Sequence, residues 1–209
     1  MKRICIAVTW LALGSFVNAE DSAPRPAPTT LAPPKASTLR VDARGFIHRW
    51  RVLEPIPVPG RLTESAVEDA LRAAPVPAAD DARWHTLDTR LYNFNLYHFA
   101  WSLSKPTSNV LFWVTTVVDS PEEMQGVRLA IGSNAASRWW LNDAPVIALN
   151  DDRQAVIDDG VSKRLTLRKG RNVIRAAIVN GGGATDFCAR FLDASDQPIT
   201  GLTVSLGAP

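Results

Sequence analysis

The residues best suited to acid–base chemistry are the three histidines, His48, His85 and His98. A histidine acts as a general base only where a nucleophile lies within hydrogen-bonding reach. Ser102 and Ser104 follow His98, but neighbours on one predicted strand do not form a triad, and the sequence has no G-x-S-x-G elbow. No two acidic residues stand out as the facing pair that glycosidic cleavage requires. The sequence therefore predicts no catalytic residue, and we expect that this protein is not an enzyme.

Carboxylates are concentrated in one polar segment, at Asp151, Asp152, Asp158 and Asp159. Carboxylate oxygens are ligands that suit Ca²⁺. The alternative is a solvated loop whose aspartates form turns. The sequence contains no H-E-x-x-H, C-x-x-C or EF-hand pattern. We favour the solvated loop and predict no cofactor, while the calcium site stays an open alternative.

Aromatic and polar residues occur together around Trp140, which has Arg138 and Asn142 as near neighbours. Sugar sites combine an aromatic ring, on which a pyranose stacks, with Arg, Asn and Asp side chains that bind its hydroxyl groups. Trp140 is therefore the best candidate for a sugar-binding surface. It could equally pack beneath a helix or beneath the aspartate-rich segment. We expect four other tryptophans in the core: Trp50, Trp101, Trp113 and Trp139.

The elements that position Trp140 lie in the segment from Val127 to Leu149. Its first part alternates between apolar and other residues, which predicts a strand with one buried face, and Gly132-Ser133-Asn134 then forms a loop. A second strand carries Trp140 and ends at Asn142-Asp143, which suits a tight hairpin turn. Pro145 is compatible with an edge strand. The segment thus predicts three successive strands.

The rest of the chain alternates in the same way. Phe46–Leu53 and Leu91–Leu103 have strand patterns, and the almost wholly apolar run 109–119 predicts a central strand. Residues 63–74 change period and predict a short helix against the sheets. With about eight or nine strands, the sequence predicts an all-β fold, a two-sheet jelly-roll β-sandwich with one short helix.

Two turn motifs make a resemblance specific: Trp140-Leu141-Asn142, and Leu167 with Lys169-Gly170 and Asn172. With them, residues 46–206 resemble the galactose-binding-domain-like β-sandwich, which occurs as a sugar-binding domain of β-galactosidase-type glycoside hydrolases and as an accessory domain beside secreted esterases. The chain differs from that pattern at Asp143, where glycine is usual, and at residues 134–136, where acidic residues are common. The resemblance implies a fold more than a function.

The resemblance also adds residues to the candidate site. In similar chains an arginine and an aspartate of the polar loop serve folding, which implies a pair of Arg153 and Asp158 here. Jelly-roll loops carry ligands in this superfamily, which makes Asn180, Asp186 and the loop around Asn134 secondary candidates. The predicted ligand-binding residues are Trp140, Arg138, Asn142, Arg153 and Asp158.

The N-terminal residues predict an export signal rather than fold. Residues 1–19 have a basic start, an apolar run too short to span a bilayer, and the small-residue ending Val17-Asn18-Ala19, which together predict a signal peptide. Residues 20–38 are rich in proline and alanine and predict a disordered leader. The sandwich domain is then 39–209, and the protein is expected to be secreted or periplasmic.

Charge and cysteine content exclude several functions. Two of the 23 basic residues lie in the predicted signal, and the remaining 21 equal the 21 acidic residues. No basic run suggests nucleic-acid binding, and no later apolar run is long enough for a membrane span. Cys188 is the single cysteine after the signal, so no intramolecular disulfide can form, and its strand position predicts a buried, inert thiol.

These observations predict a secreted, non-catalytic module that recognises a glycan through an aromatic surface and polar loops. The alternative is a protein-interaction or structural subunit that assembles with a secreted or envelope enzyme. In that case the leader would be a tether and Trp140 an interface anchor.

Overall fold

The alternating segments form two antiparallel β-sheets in the computed structural model, which describes residues 30–58, 64–150 and 154–206. The strands are β1 (Leu31–Ala32), β2 (Thr38–Arg40), β3 (Arg49–Leu53), β4 (Ile56–Pro57), β5 (Trp84–Thr89), β6 (Phe94–Asn95), β7 (Val110–Ser120), β8 (Met124–Ser133), β9 (Ala136–Leu141), β10 (Ala144–Leu149), β11 (Gly160–Val161), β12 (Leu165–Leu167), β13 (Gly170–Asn180), β14 (Asp186–Leu192) and β15 (Thr203–Ser205). The helices are α1 (Glu64–Ala73) and α2 (Leu96–Ser102). The prediction of an all-β, two-sheet sandwich is confirmed.

The larger sheet has the strand order β1-β5-β3-β7-β13-β9-β10, with β15 and β4 paired to β7 and β2 paired to β15. The smaller sheet has the order β11-β8-β14-β6, with β12 paired to β8. Every pair is antiparallel. Strand β10 is therefore an edge of the larger sheet within the described part of the chain.

Aromatic rings fill the space between the sheets. Trp50, Trp139 and Phe187 are almost fully buried, and their rings meet edge to face at centroid distances of 4.9 to 6.2 Å. Their polar atoms are satisfied, because the Trp50 indole donates to the Ile47 carbonyl at 3.0 Å and the Trp139 indole to the Ser137 hydroxyl at 3.0 Å. Buried aromatic side chains of this size supply much of the apolar burial that stabilises a sandwich.

Strand β7 is the central strand that its apolar run predicts. It pairs with all eleven residues of β13, from Gly170 opposite Ser120 to Asn180 opposite Val110. Phe112 faces the core between the sheets, whereas Trp113 faces a second apolar cluster on the outer side. The strand is apolar on both faces because both faces are covered.

Helix α1 covers part of that outer side, as predicted. Val67 and Ala70 pack against Leu111 and Trp113 of β7. The Trp113 indole donates to the carbonyl of Ala74, one residue past the helix, at 2.9 Å. The helix therefore lies on the outer face of the larger sheet.

The structure corrects the prediction of a strand over Leu91–Leu103. Residues Leu96–Ser102 form the second helix, and the Asn95 side chain caps it by accepting the His98 backbone N–H at 2.6 Å. Leu96, Phe99 and Ala100 are buried, and their spacing places them on one helical face. The prediction of a single helix was therefore wrong, because an N-cap and this spacing prevailed over the alternation.

The structure also differs from the prediction of a disordered leader where it describes that segment. Leu31–Ala32 pairs with Thr89 and Asp88 in the larger sheet, and Thr38 begins a strand that pairs with β15. These residues therefore contribute to the fold. The predicted signal peptide and the leader residues 20–29 lie outside the described residues and stay predictions.

Candidate functional site

Asn134 and Ala135 connect the two sheets, because β8 lies in the smaller sheet and β9 in the larger one. The prediction of a loop over Gly132-Ser133-Asn134 was wrong for Gly132 and Ser133, which belong to β8 and pair with β14. The Asn134 side chain donates to the Ala184 carbonyl at 2.6 Å and accepts the Asp186 backbone N–H at 2.8 Å. Asn134 therefore holds this crossover against the loop before β14. The amide group of the Asn134 side chain is therefore engaged in contacts that stabilise the fold.

The turn between β9 and β10 has the geometry that its residues predict. Asn142 and Asp143 have positive φ of 49° and 67°, which suits a tight hairpin and which asparagine and aspartate tolerate. The Asn142 side chain accepts the Val173 backbone N–H at 2.9 Å and donates to the Asn172 oxygen at 3.0 Å. Asn142 thus fixes the hairpin to β13.

A β-bulge in β10 shapes the surface beside Trp140. The pairing with β9 shifts register between Pro145 and Ile147, so Val146 is an extra residue. A shallow depression of about 250 Å³ lies there. We call it the edge depression; Arg138, Trp139, Trp140, Pro145, Val146, Ile147 and Ala148 line it.

Trp140 combines the two roles that the sequence left open. Its ring centroid lies 5.8 Å from that of Trp113, and the ring packs against the cluster beneath α1. It is nevertheless only half-buried and lines the edge depression. The Arg175 guanidinium carbon lies 5.7 Å from the ring centroid. Trp140 is thus held firmly while part of its surface stays accessible.

Arg138 links the hairpin to the helix. Its guanidinium donates to the Glu68 carboxylate at 2.9 Å and to the Leu149 carbonyl at 2.9 Å. The Arg138 side chain is only 11% exposed, whereas that of Glu68 is 47% exposed. The pair therefore presents mainly carboxylate oxygen to solvent at the rim of the edge depression.

Asp158 precedes β11 of the smaller sheet and is not among the residues that line the edge depression. It makes a two-pronged ion pair with Arg190 of β14, with Nε to Oδ1 at 2.9 Å, and the Asp158 carboxylate raises the pKa of Arg190. Arg190 also donates to the Arg44 carbonyl at 3.0 Å and lies over the Phe46 ring. Asp158 is therefore paired with Arg190, where the resemblance implied Arg153, which lies outside the described residues.

Arg190 could have been noticed in the sequence as a single charge within the apolar run FCARFL. Two of the four clustered aspartates, Asp151 and Asp152, lie outside the described residues. Across the described ranges, no group of three or more histidine, cysteine or acidic residues is arranged to hold a metal ion.

Two of the three histidines, His48 and His85, contact carboxylates or a backbone carbonyl. His48 lies 3.1 Å from the Thr89 carbonyl and 3.2 Å from the Asp42 carboxylate. His85 lies 3.3 Å from Glu54. Lys105 and His85 together hold the pKa of Glu54 below its usual range, although partial burial opposes them. These contacts join histidines to carboxylates and a carbonyl rather than to a serine.

A second cavity, about 480 Å³, lies at the Asn142-Asp143 end of the larger sheet. We call it the arginine cleft; its lining residues are Asn142, Asp143, Arg168, Arg171, Val173 and Arg175. The Arg175 guanidinium donates to the Asp143 carboxylate at 2.9 Å. This site was not predicted from the sequence, although the run RLTLRKGR contains two of its three lining arginines, Arg168 and Arg171.

Cys188 is buried, as predicted, and burial raises the pKa of its thiol to about 11. Because the thiolate is the reactive form, we expect less than about one part in a thousand of the folded protein to be ionised at pH 7.5. Iodoacetamide at pH 7.5 should leave the folded protein unmodified and should alkylate it fully in urea. Rapid alkylation of the folded protein, followed by mass spectrometry, would contradict this burial.

In the part of the chain that the structure describes, neither helix has the length and apolar character needed to cross a membrane.

Comparisons with known proteins support the fold. No family model matches the sequence, and no curated protein matches it. Among solved structures, a PA14 sugar-binding domain from an RTX adhesin is similar over 79% of this chain and all of its own length, with 12% identity and a TM-score of 0.50. The predicted resemblance to sugar-binding and accessory β-sandwiches is thereby confirmed for the fold.

Two larger proteins contain weaker matches. A β-glucosidase from Kluyveromyces marxianus matches 70% of this chain at 19% identity with a TM-score of 0.42, and the match spans only 16% of the enzyme. An anti-sigma factor domain-containing protein matches 76% of this chain at 11% identity with a TM-score of 0.46, over 46% of its length.

Proposed function

We propose that this domain binds a glycan, without catalysis, at the edge depression. The observation that carries the proposal is the half-buried Trp140 ring, which packs on the cluster beneath α1 and lines a depression of about 250 Å³. An aromatic surface of this kind suits the apolar face of a pyranose. The similar PA14 domain is described as sugar-binding, which supports the same function here.

The lining of the depression fits a sugar ring. Pro145, Val146 and Ile147 supply apolar surface beside Trp140. At the rim, the exposed Glu68 carboxylate can accept hydrogen bonds from hydroxyl groups, while Arg138 holds it in place. In this proposal Trp140 and Arg138 form the site, and Asn142 positions it through the turn.

Asp158 and Arg153 are not needed for this site. Asp158 is engaged by Arg190, and Arg153 lies outside the described residues. The proposal also retains export from the cytoplasm, which rests on the predicted signal peptide.

A protein partner is the second candidate, and the edge position of β10 favours it. A partner strand could extend the larger sheet there. Pro145 lacks a backbone N–H, and the bulge at Val146 interrupts the ladder, both of which hinder strand addition. These features make glycan binding the better-supported function.

Trp140→Ala should weaken glycan binding by about tenfold or more, because the stacking surface is removed. Binding of the purified protein to a polysaccharide panel, by affinity electrophoresis and calorimetry, measures the effect. Trp84→Ala is the matched control, since Trp84 is another half-buried tryptophan of the larger sheet. Trp140→Phe should keep part of the affinity.

The melting temperature of each variant separates loss of the site from loss of the fold. If the wild-type protein and a folded Trp140→Ala variant bind the glycan with equal affinity, the edge depression is not the binding site. An absence of binding to every glycan would favour the protein partner, and capture from the secreted fraction would test that candidate.

A further inference from the structure

We infer that the glycan this domain takes is acidic, and that the arginine cleft binds its carboxylate or sulfate groups while a sugar ring lies on Trp140. The inference rests on the proposed function and names the class of ligand. Three observations support it: the position of the cleft beside Trp140, the charges of its lining residues, and the hydrogen bonds that hold the backbone of its turn.

The cleft and the edge depression are neighbours on one face of the larger sheet. Arg175 of β13 is paired with Trp140 of β9, and Trp140 is paired with Pro145 of β10. Arg175 lines the cleft, and Trp140 and Pro145 line the depression. With the Arg175 guanidinium carbon 5.7 Å from the Trp140 ring centroid, one ligand can contact both sites.

The charges that line the cleft are mainly positive. Three of its six lining residues are arginines, and the single lining carboxylate is that of Asp143. The guanidinium group presents a planar set of donors that matches carboxylate and sulfate oxygens in a two-pronged arrangement. Neutral hydroxyl groups do not require such a set, so the lining favours an anion.

Neighbouring carboxylates neutralise the cleft only in part. Asp143 is 84% exposed, so its pair with Arg175 is weak in water and a ligand anion can compete for the guanidinium. Asp119 lies opposite Arg171 in the antiparallel β-ladder, so its side chain is on the same face and offsets part of the Arg171 charge. For Arg168, the described residues include no carboxylate at ion-pair distance from its guanidinium. Glu122 and Glu123 lie in the turn before β8 rather than in the cleft lining.

The backbone of the turn that carries Arg168 is held by a buried side chain. The buried Asn172 side chain accepts the Arg168 backbone N–H at 3.0 Å and donates to the carbonyls of Arg168 and Gly170 at 2.8 and 3.0 Å. Gly170 has a φ of 76°, which glycine adopts without strain. A site that is ordered in advance loses less entropy on binding.

The test compares matched polymers. Affinities of the purified protein are measured for polygalacturonate against its fully methyl-esterified form, and for dextran sulfate against dextran. The variant is Arg168→Gln/Arg171→Gln. The control is Arg83→Gln/Arg90→Gln, which removes the same charge from two exposed arginines at the ends of β5, outside the cleft lining. Competition by sodium sulfate, against sodium chloride of equal ionic strength, separates a polymer site from a site for free anions.

We expect at least one charged polymer to bind about tenfold more tightly than its neutral counterpart. The cleft variant should lose that preference, the control variant should keep it, and sulfate should compete weakly. Equal binding of charged and neutral polymers would overturn the inference while leaving the proposed function. Equal losses of affinity for the charged polymer in both variants would also overturn the inference, because they would indicate non-specific electrostatic attraction. Full displacement of the polymer by sulfate would show that the cleft binds free anions instead. No binding to any polymer would reject the proposed function itself.

Discussion

Arg49→Ala should lower the free energy of unfolding by about 3 kcal/mol, because it removes the nearly buried partner of an ion pair. The Arg49 side chain is only 2% exposed. It makes two bonds to the Asp88 carboxylate, at 2.7 and 2.9 Å, and a third to the Ser37 carbonyl at 3.2 Å. Removing the guanidinium leaves the Asp88 carboxylate, which is only 22% exposed, without its partner. Urea denaturation measures the loss of stability.

The control for this prediction is Arg90→Ala, because Arg90 is exposed and follows the neighbouring strand β5. It should change stability by less than about 0.5 kcal/mol. The double substitution Arg49→Ala/Asp88→Ala should cost less than the two single substitutions together, since the removed groups are partners. A loss below about 1 kcal/mol for Arg49→Ala would show that the ion pair is not stabilising.

Arg49 also shows why the boundary of the fold could not be placed from the sequence. In the strand RWRVL, alternation assigns Trp50 and Val52 to the core and Arg49 and Arg51 to solvent. Arg51 is indeed half-buried and lies over the Trp84 ring. Arg49 is covered instead, and its contact with Ser37 belongs to the segment predicted as a leader. The short strands β1 and β2 pair with residues that are distant in the sequence, and such pairing cannot be predicted from local residue preferences. Their proline-rich surroundings indicate a disordered segment instead.

The candidate site was predictable to the extent that it depends on local geometry. The Asn142-Asp143 turn and the choice of Trp140 follow from turn chemistry and from neighbouring residue types. The edge depression depends on the bulge at Val146, which exists only through the register of β10 against β9. The arginine cleft requires Arg175, Trp140 and the turn to meet across strands that are distant in sequence, and periodicity carries no information about that pairing.

Asn172→Ala should lower the free energy of unfolding by about 2 to 4 kcal/mol. The Asn172 side chain is fully buried, and its amide satisfies the backbone of Arg168 and Gly170 and the side chain of Asn142. Alanine would leave several buried polar groups without a partner, at about 1 to 3 kcal/mol for each group that water cannot reach. Thermal and urea unfolding of the variant measure the loss.

Thr166→Ala is the control for this substitution, because Thr166 is exposed on the adjacent strand β12 and should change stability by less than about 0.5 kcal/mol. Asn172 connects two turns. It binds the backbone of the turn that carries Arg168, and it binds the side chain of Asn142 in the turn between β9 and β10. Below its melting temperature, the Asn172→Ala variant should therefore lose affinity for a charged polymer more than for the neutral one. An unchanged melting temperature would show that water replaces the amide, and the two turns would then be held by the β-ladder alone.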